Sequence, residues 1–178
     1  MKLSRLFQAA FVLLIVAVAG AAPANAASRY RIITEGEFGF KRGNTFFALK
    51  VSSADFETRF GAAEKKTRHG EGFRLAYLAE GISVLIEDGK IRSLTFVLVP
   101  AKTERFQDYQ PINATTSSGI RRETSIAEVI KTEGEPASKE EYPSLGRTIL
   151  HYKSRGQEYA FTFKDGALAQ IELKLIKV

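Results

Sequence analysis

Leu150-His151-Tyr152-Lys153-Ser154-Arg155-Gly156, then Tyr159-Ala160-Phe161-Thr162-Phe163, Lys164-Asp165-Gly166 and Ala167 through Leu173 decide how the chain is read. Apolar residues alternate with polar or small ones on both sides of two tight turns, the period-2 pattern of half-buried strands joined as hairpins. Asp165-Gly166 is a strong turn signal, because glycine takes the positive φ that hairpin turns require. Ser154-Arg155-Gly156 is a weaker signal of the same kind. The C-terminal third therefore reads as a three-stranded antiparallel meander.

About seventy-five residues earlier the same landmarks occur. Tyr77-Leu78-Ala79-Glu80-Gly81 matches Tyr152 through Gly156, and Asp88-Gly89 through Phe96 matches Asp165-Gly166 through Leu173. A short helical pattern precedes each set. It runs from Ser53 to Phe60 and stops at Gly61, then again from Ser125 to Glu133 and stops at Gly134. Ser125 with Glu128 spells a capping box, and Ser52 with Asp55 a looser version of one. Gly61 and Gly134 suit a left-handed C-cap, and Pro136 blocks continuation of the second helix. The expected fold class is α+β: two tandem helix-plus-antiparallel-meander repeats, with the helices packed on one face of the sheet or sheets.

Met1–Ala26 has a basic start (Lys2, Arg5), an apolar run from Ala9 to Ala22 and the small-residue exit Ala24-Asn25-Ala26, the pattern of a cleaved export signal. The run is short for a spanning helix. The expected organisation is a signal peptide at 1–26, a first α+β repeat at 27–105, a polar linker at 106–123 and a second repeat at 124–178. Removing the signal from 178 residues leaves 152, and takes two charges from the net +6. A mildly basic mature chain gives weak support for an anionic partner, such as envelope lipid or an acidic protein face. No basic run with interleaved aromatics suggests nucleic acid.

There is no cysteine. Disulfides, thiolate metal sites and thiol catalysis are excluded, and no lipid-bearing Cys follows the signal. No stable membrane anchor is expected after cleavage.

Ser28–Thr34 and Thr45–Val51 read as strands flanking a glycine-containing bend. They are assigned as leading strands of the first repeat or an edge that closes its sheet. Glu64–Gly72 and Glu135–Gly146 read as polar loops. In the last strand of the second repeat Ile171, Leu173 and Leu175 alternate with Gln170, Glu172 and Lys174, apolar inside and polar outside. The matching outward face of the first repeat, Ser93, Thr95, Val97 and Val99, is less polar. It is expected to meet something within the molecule, or else a partner.

No catalytic constellation emerges. The two histidines, His69 and His151, are far apart in sequence and form no H-E-x-x-H pair. No nucleophile turn, phosphate loop or dinucleotide fingerprint is present. Glu140-Glu141, and Glu71 with Glu80, are carboxylate pairs, and Arg121-Arg122 is a cation pair that suits a phosphate or carboxylate. Each reads first as solvated surface charge. No catalytic, cofactor-binding or metal residues are assigned, and no cofactor is expected.

Ser125-Ile126-Ala127-Glu128-Val129 through Gly134-Glu135-Pro136, then Tyr152 and Phe161-Thr162-Phe163-Lys164-Asp165-Gly166, resembles the SmpA/OmlA (BamE) domain of exported bacterial proteins. In doubled form it resembles the BLIP-like, beta-lactamase inhibitory protein fold. Glu133 stands where that family usually has Leu. The resemblance implies a periplasmic or secreted module that acts by protein–protein contact, in envelope assembly or as an inhibitor. The expected function is a non-catalytic protein-binding module of the envelope, using the outward sheet face or the loops Glu64–Gly72 and Glu135–Gly146. The alternatives are a proteinaceous inhibitor of a secreted enzyme, or a small envelope hydrolase built on His151 and loop carboxylates.

Overall fold

A computed structural model describes residues 29–99 and 106–176, so the expected export segment lies outside the described residues. Among the described residues there are twelve strands and two α-helices. The chain begins β1 (Tyr30–Ile33), β2 (Gly39–Arg42), β3 (Thr45–Ala48) and α1 (Ser53–Phe60). It continues β4 (Lys65–His69), β5 (Gly72–Tyr77), β6 (Ile82–Glu87), β7 (Lys90–Val97) and β8 (Ala114–Thr116). It closes with α2 (Ile126–Glu133), β9 (Ser138–Tyr142), β10 (Arg147–Ser154), β11 (Gln157–Lys164) and β12 (Ala167–Leu175).

The strands form two sheets. The small one has the order β3-β2-β1-β8, and the large one β4-β5-β6-β7-β12-β11-β10-β9. The expected class is thereby overturned. The described residues are mostly β, in one four-stranded and one eight-stranded sheet with two helices of eight residues each, and not two helix-plus-meander repeats. The reason lies in two stretches. Residues 29–51 do not close the first meander. They build a separate small sheet with β8, which comes from the stretch 106–123 expected as a linker and pairs parallel to β1. The segments read as polar loops, Glu64–Gly72 and Glu135–Gly146, contain β4 and β9. Both are edge strands whose every residue is exposed, so no hydrophobic alternation marks them.

The hairpin chemistry explains the large sheet. Asp88, Arg155 and Asp165 have φ of 51°, 45° and 50°, each followed by a positive-φ glycine. Two positive-φ central residues make the turn whose twist matches the flanking strands. The seam is the antiparallel pair β7–β12, from Gln170 opposite Val97 to Lys174 opposite Ser93. Leu94, Phe96, Ile171 and Leu173 along it are fully buried.

Both helices are capped as their sequences predict. The Ser52 hydroxyl accepts from the Asp55 N–H, and Ser125 with Glu128 forms the complete capping box. The stops differ from expectation in conformation. Gly61 (φ 114°, ψ 168°) and Gly134 (φ 85°, ψ −171°) lie in the extended positive-φ region that only glycine enters readily, not in the left-handed helical one. Each stop is held by a tyrosine. The Tyr77 hydroxyl donates to the Gly61 carbonyl at 3.1 Å, and that of Tyr152 to the Gly134 carbonyl at 3.2 Å.

The small sheet and the helices cover the inner face of the large sheet. Phe40 is the hub. Its ring lies 4.9 Å from Phe47, 5.7 Å from Phe60 and 5.4 Å from Phe96 of the large sheet. Edge-on and offset ring pairs add to the burial of apolar area. At the other end, Glu133 accepts from the Tyr159 hydroxyl at 2.8 Å and from Ser118.

Phe40→Ala is expected to cost about 3–5 kcal/mol, whereas Phe73→Ala, at a residue 43% exposed, should cost about 1 kcal/mol or less. Denaturant melts of the two variants check this. Burial is the leading cause that raises the phenols of Tyr30, Tyr77, Tyr152 and Tyr159, with Tyr152 pushed up to about 12. A pKa raised in the folded state means stability that is complete below about pH 10, the unfolded value, and lost as pH rises above it. Tyrosinate absorbance from these four residues should appear together with alkaline unfolding. A titration completed while the fold persists would contradict the packing.

Candidate functional site

The period-2 geometry of a strand sends alternate side chains to opposite faces. In the large sheet Tyr77, Val84, Phe96, Leu173, Phe161 and Leu150 point to the core. Their neighbours form the outer face. The register there lines up one row across the sheet: Thr67, Arg74, Leu85, Ser93, Lys174, Glu158 and Lys153, each directly opposite the next. A second row runs Ala76, Ser83, Thr95, Glu172, Ala160 and His151. A trough opens on this face along the first row, where Arg74, Leu85, Ser93, Lys174 and Glu158 line it.

The trough encloses about 510 Å³ and is lined by His69, Arg74, Glu87, Arg92, Glu158, Glu172 and Lys174, among others. Arg74 donates from Nη1 to the Ser83 hydroxyl at 3.0 Å, which lays its guanidinium along the floor. Arg92 Nε lies 3.4 Å from Glu87 Oε2. Cations and carboxylates alternate along the walls.

Glu158 links the trough to a second cluster. It meets His151 Nδ1 at 2.8 Å, while Glu140 from the edge strand β9 approaches Nε2 at 3.2 Å. The Nδ1 contact joins β10 to β11, and Glu140 brings β9 within ion-pair distance of the same ring. Glu140 also accepts from the Tyr142 hydroxyl at 2.6 Å. That bond, then the nearby His151, holds its carboxyl below the usual range.

The sequence-level candidates separate on folding. His69 and His151 stand on β4 and β10, six steps apart in the strand order; His69 lines the trough, whereas His151 meets it through Glu158. Tyr152 points inward and stacks on Tyr159 at 5.1 Å, on the opposite face from His151. Glu140 and Glu141 alternate faces on β9, and Glu141 pairs with Lys139. Glu71 lies in the β4–β5 turn and Glu80 in the β5–β6 turn, at opposite ends of β5. Glu80 is engaged by the Tyr30 hydroxyl and by Arg29 at 2.9 Å. Among the described residues no group of three His, Asp or Glu is placed to hold a metal ion. The belt residues Arg74, Arg92 and Glu158 were not picked out from sequence. The alternation of Gln170, Glu172 and Lys174, and the outward row of Ser93, Thr95 and Val97, were the signals that pointed to this face.

One end of the outer face is closed from within the molecule, which answers the less polar patch around Val97. Phe106 and Tyr109 pack on Val97 and Ala76. The Ile112 N–H donates to the Val97 carbonyl at 2.9 Å and the Gln110 N–H to the Leu78 carbonyl at 2.8 Å. Gly81 permits this close approach. Its φ is 61°, and a Cβ there would stand 2.4 Å from the Gln110 carbonyl oxygen.

No family model matches this chain, and no curated protein matches it. A solved structure of a DUF4309 family protein (YjgB) from Bacillus subtilis subsp. subtilis str. 168 is similar to it at 14% identity and a TM-score of 0.48, over 79% of this chain and 88% of that one. A likeness at that level carries no argument about function.

Glu140→Gln is expected to cost about 1 kcal/mol or less, since exposed ion pairs contribute little. Amide exchange should quicken along Ser138–Tyr142 and stay unchanged in β11 and β12. Loss of protection throughout the sheet would show that the cluster supports more than its edge.

Proposed function

We propose that this chain is a non-catalytic protein-binding module of the bacterial envelope, and that the open part of the outer sheet face is its contact surface. The observation that carries the reading is the belt itself, an outer sheet face on which half-buried and exposed cations and carboxylates, Arg74, Glu158, Glu172 and Lys174 among them, are interspersed. Eight strands span roughly 34 Å, and strands of six to nine residues rise about 20–30 Å. A face of that size matches the roughly 800 Å² that each partner contributes to a specific interface. Mixed charge at fixed positions selects a partner and steers encounter more than it supplies raw affinity. The rigid sheet gives preorganised side chains, which lowers the ordering cost of binding. The export pattern of Met1–Ala26 supports a periplasmic or secreted location, and the resemblance to exported contact modules supports the same reading.

The test is affinity capture from envelope extract of the host, with and without crosslinking, followed by mass spectrometry. A stoichiometric protein partner is expected. Arg74→Glu with Lys174→Glu should weaken its retention at least about tenfold, since like charges then face each other. Capture unaffected by this double reversal would move the contact surface elsewhere, and no partner after crosslinking would overturn the proposal.

A further inference from the structure

The outward face of the small sheet has a different charge pattern from the belt. Arg31 on β1 is directly opposite Lys41 on β2, which is opposite Phe46 on β3. On its other side Arg31 is opposite Thr115 of β8, and Thr115 bridges to Arg121. The row Arg121, Thr115, Arg31, Lys41, Phe46 thus crosses the whole sheet. Its direction is fixed by the alternate residues Tyr30, Ile32, Phe40, Phe47, Ala114 and Thr116, all buried. Arg31, Lys41 and Arg121 are exposed.

Two like charges directly opposite each other on neighbouring strands destabilise a sheet. Among the described residues no ion pair engages Arg31 or Lys41, and Arg121 has only an exposed approach to Glu123 at 3.5 Å. The outer face of the large sheet intersperses its signs, whereas this face concentrates one. It also carries apolar surface. Ile33 is half-buried beside Arg31, and the Phe46 ring lies across Gly39, where a Cβ would sit 2.9 Å from the ring. Cations beside half-buried aliphatic and aromatic side chains are the composition of a surface that rests on anionic lipid: headgroup phosphates take the charges and the acyl boundary takes the apolar groups.

We propose that this face docks on an anionic phospholipid bilayer. The composition of the face supports lipid over an acidic protein: exposed Arg31, Lys41 and Arg121 stand on the same surface as half-buried Ile33 and Phe46, which offers charge to headgroups and apolar groups to the acyl boundary. The small sheet covers the inner face of the large one, so a bilayer on its outward side leaves the charged belt turned away from the lipid. The inference stands independently of what that belt binds.

The test is co-sedimentation of the mature chain, residues 27–178, with vesicles of phosphatidylglycerol and phosphatidylcholine, against pure phosphatidylcholine, at low and physiological salt. Binding to the anionic vesicles that falls with salt is expected. Arg31→Gln, Lys41→Gln and Arg121→Gln should each lower partitioning about fivefold, and the triple variant about a hundredfold. A control triple with Lys66, Lys90 and Lys139 replaced by Gln removes the same charge elsewhere and should stay within about threefold of the wild type. All six positions are exposed, so the fold should persist, as circular dichroism would show. The proposal is overturned by equal binding to both vesicle types, by no binding to the anionic ones at low salt, or by equal losses in the two triples. Tighter binding to polyglutamate than to the anionic vesicles in the same salt would give the face to an acidic protein and also overturn it.

Discussion

The pairing of β7 with β12 is the constraint on which the rest of the molecule depends. It joins two strands that are distant in sequence, Lys90–Val97 and Ala167–Leu175, through five opposed residue pairs. Without it each side would be a four-stranded ribbon with an open hydrophobic edge, the kind of edge that invites wrong pairing. With it, Leu94 and Phe96 meet Ile171 and Leu173 on one face, while Ser93 and Thr95 meet Lys174 and Glu172 on the other. The seam makes the core continuous and, by the same register, makes the outer belt continuous.

The small sheet is the answer to the apolar surface that the seam creates. A broad sheet face of Ile, Leu, Val and Phe must be covered, and two eight-residue helices cover too little of it. Tyr30, Ile32, Phe40 and Phe47 supply the missing layer, with Phe40 against Phe96 as the direct contact between sheets. The arrangement divides the surface into two chemically different outward faces, one mixed in charge and one basic. A face of mixed sign discriminates among protein surfaces. A face of one sign responds to any dense array of the opposite sign, and a lipid leaflet is such an array.

Closure of the outer face around Val97 shows how local freedom serves tertiary packing. The segment carrying Phe106 and Tyr109 crosses Gly81 at a distance that admits no side chain. The same glycine supplies the positive φ of the β5–β6 turn. A residue that reads from sequence as a turn former is also the point of contact with the cover.

Local features were legible in the sequence because they arise from local physics. The turns Asp88-Gly89, Arg155-Gly156 and Asp165-Gly166, the two capped helices and the alternation of the last strands depend on φ preferences, short-range hydrogen bonds and side-chain period. These reach only a few residues along the chain. Sheet membership, layer order and the belt depended on pairings between residues far apart in sequence. No local signal says that β1 takes β8 as its neighbour, or that β7 takes β12. Edge strands β4 and β9 were invisible for a related reason: exposed on every side chain, they show no alternation, and only backbone bonds to β5 and β10 make them strands. The sequence alone determined which residues turn, cap and alternate; the tertiary structure decided which of them share a face, because register is set by burial across the whole sheet.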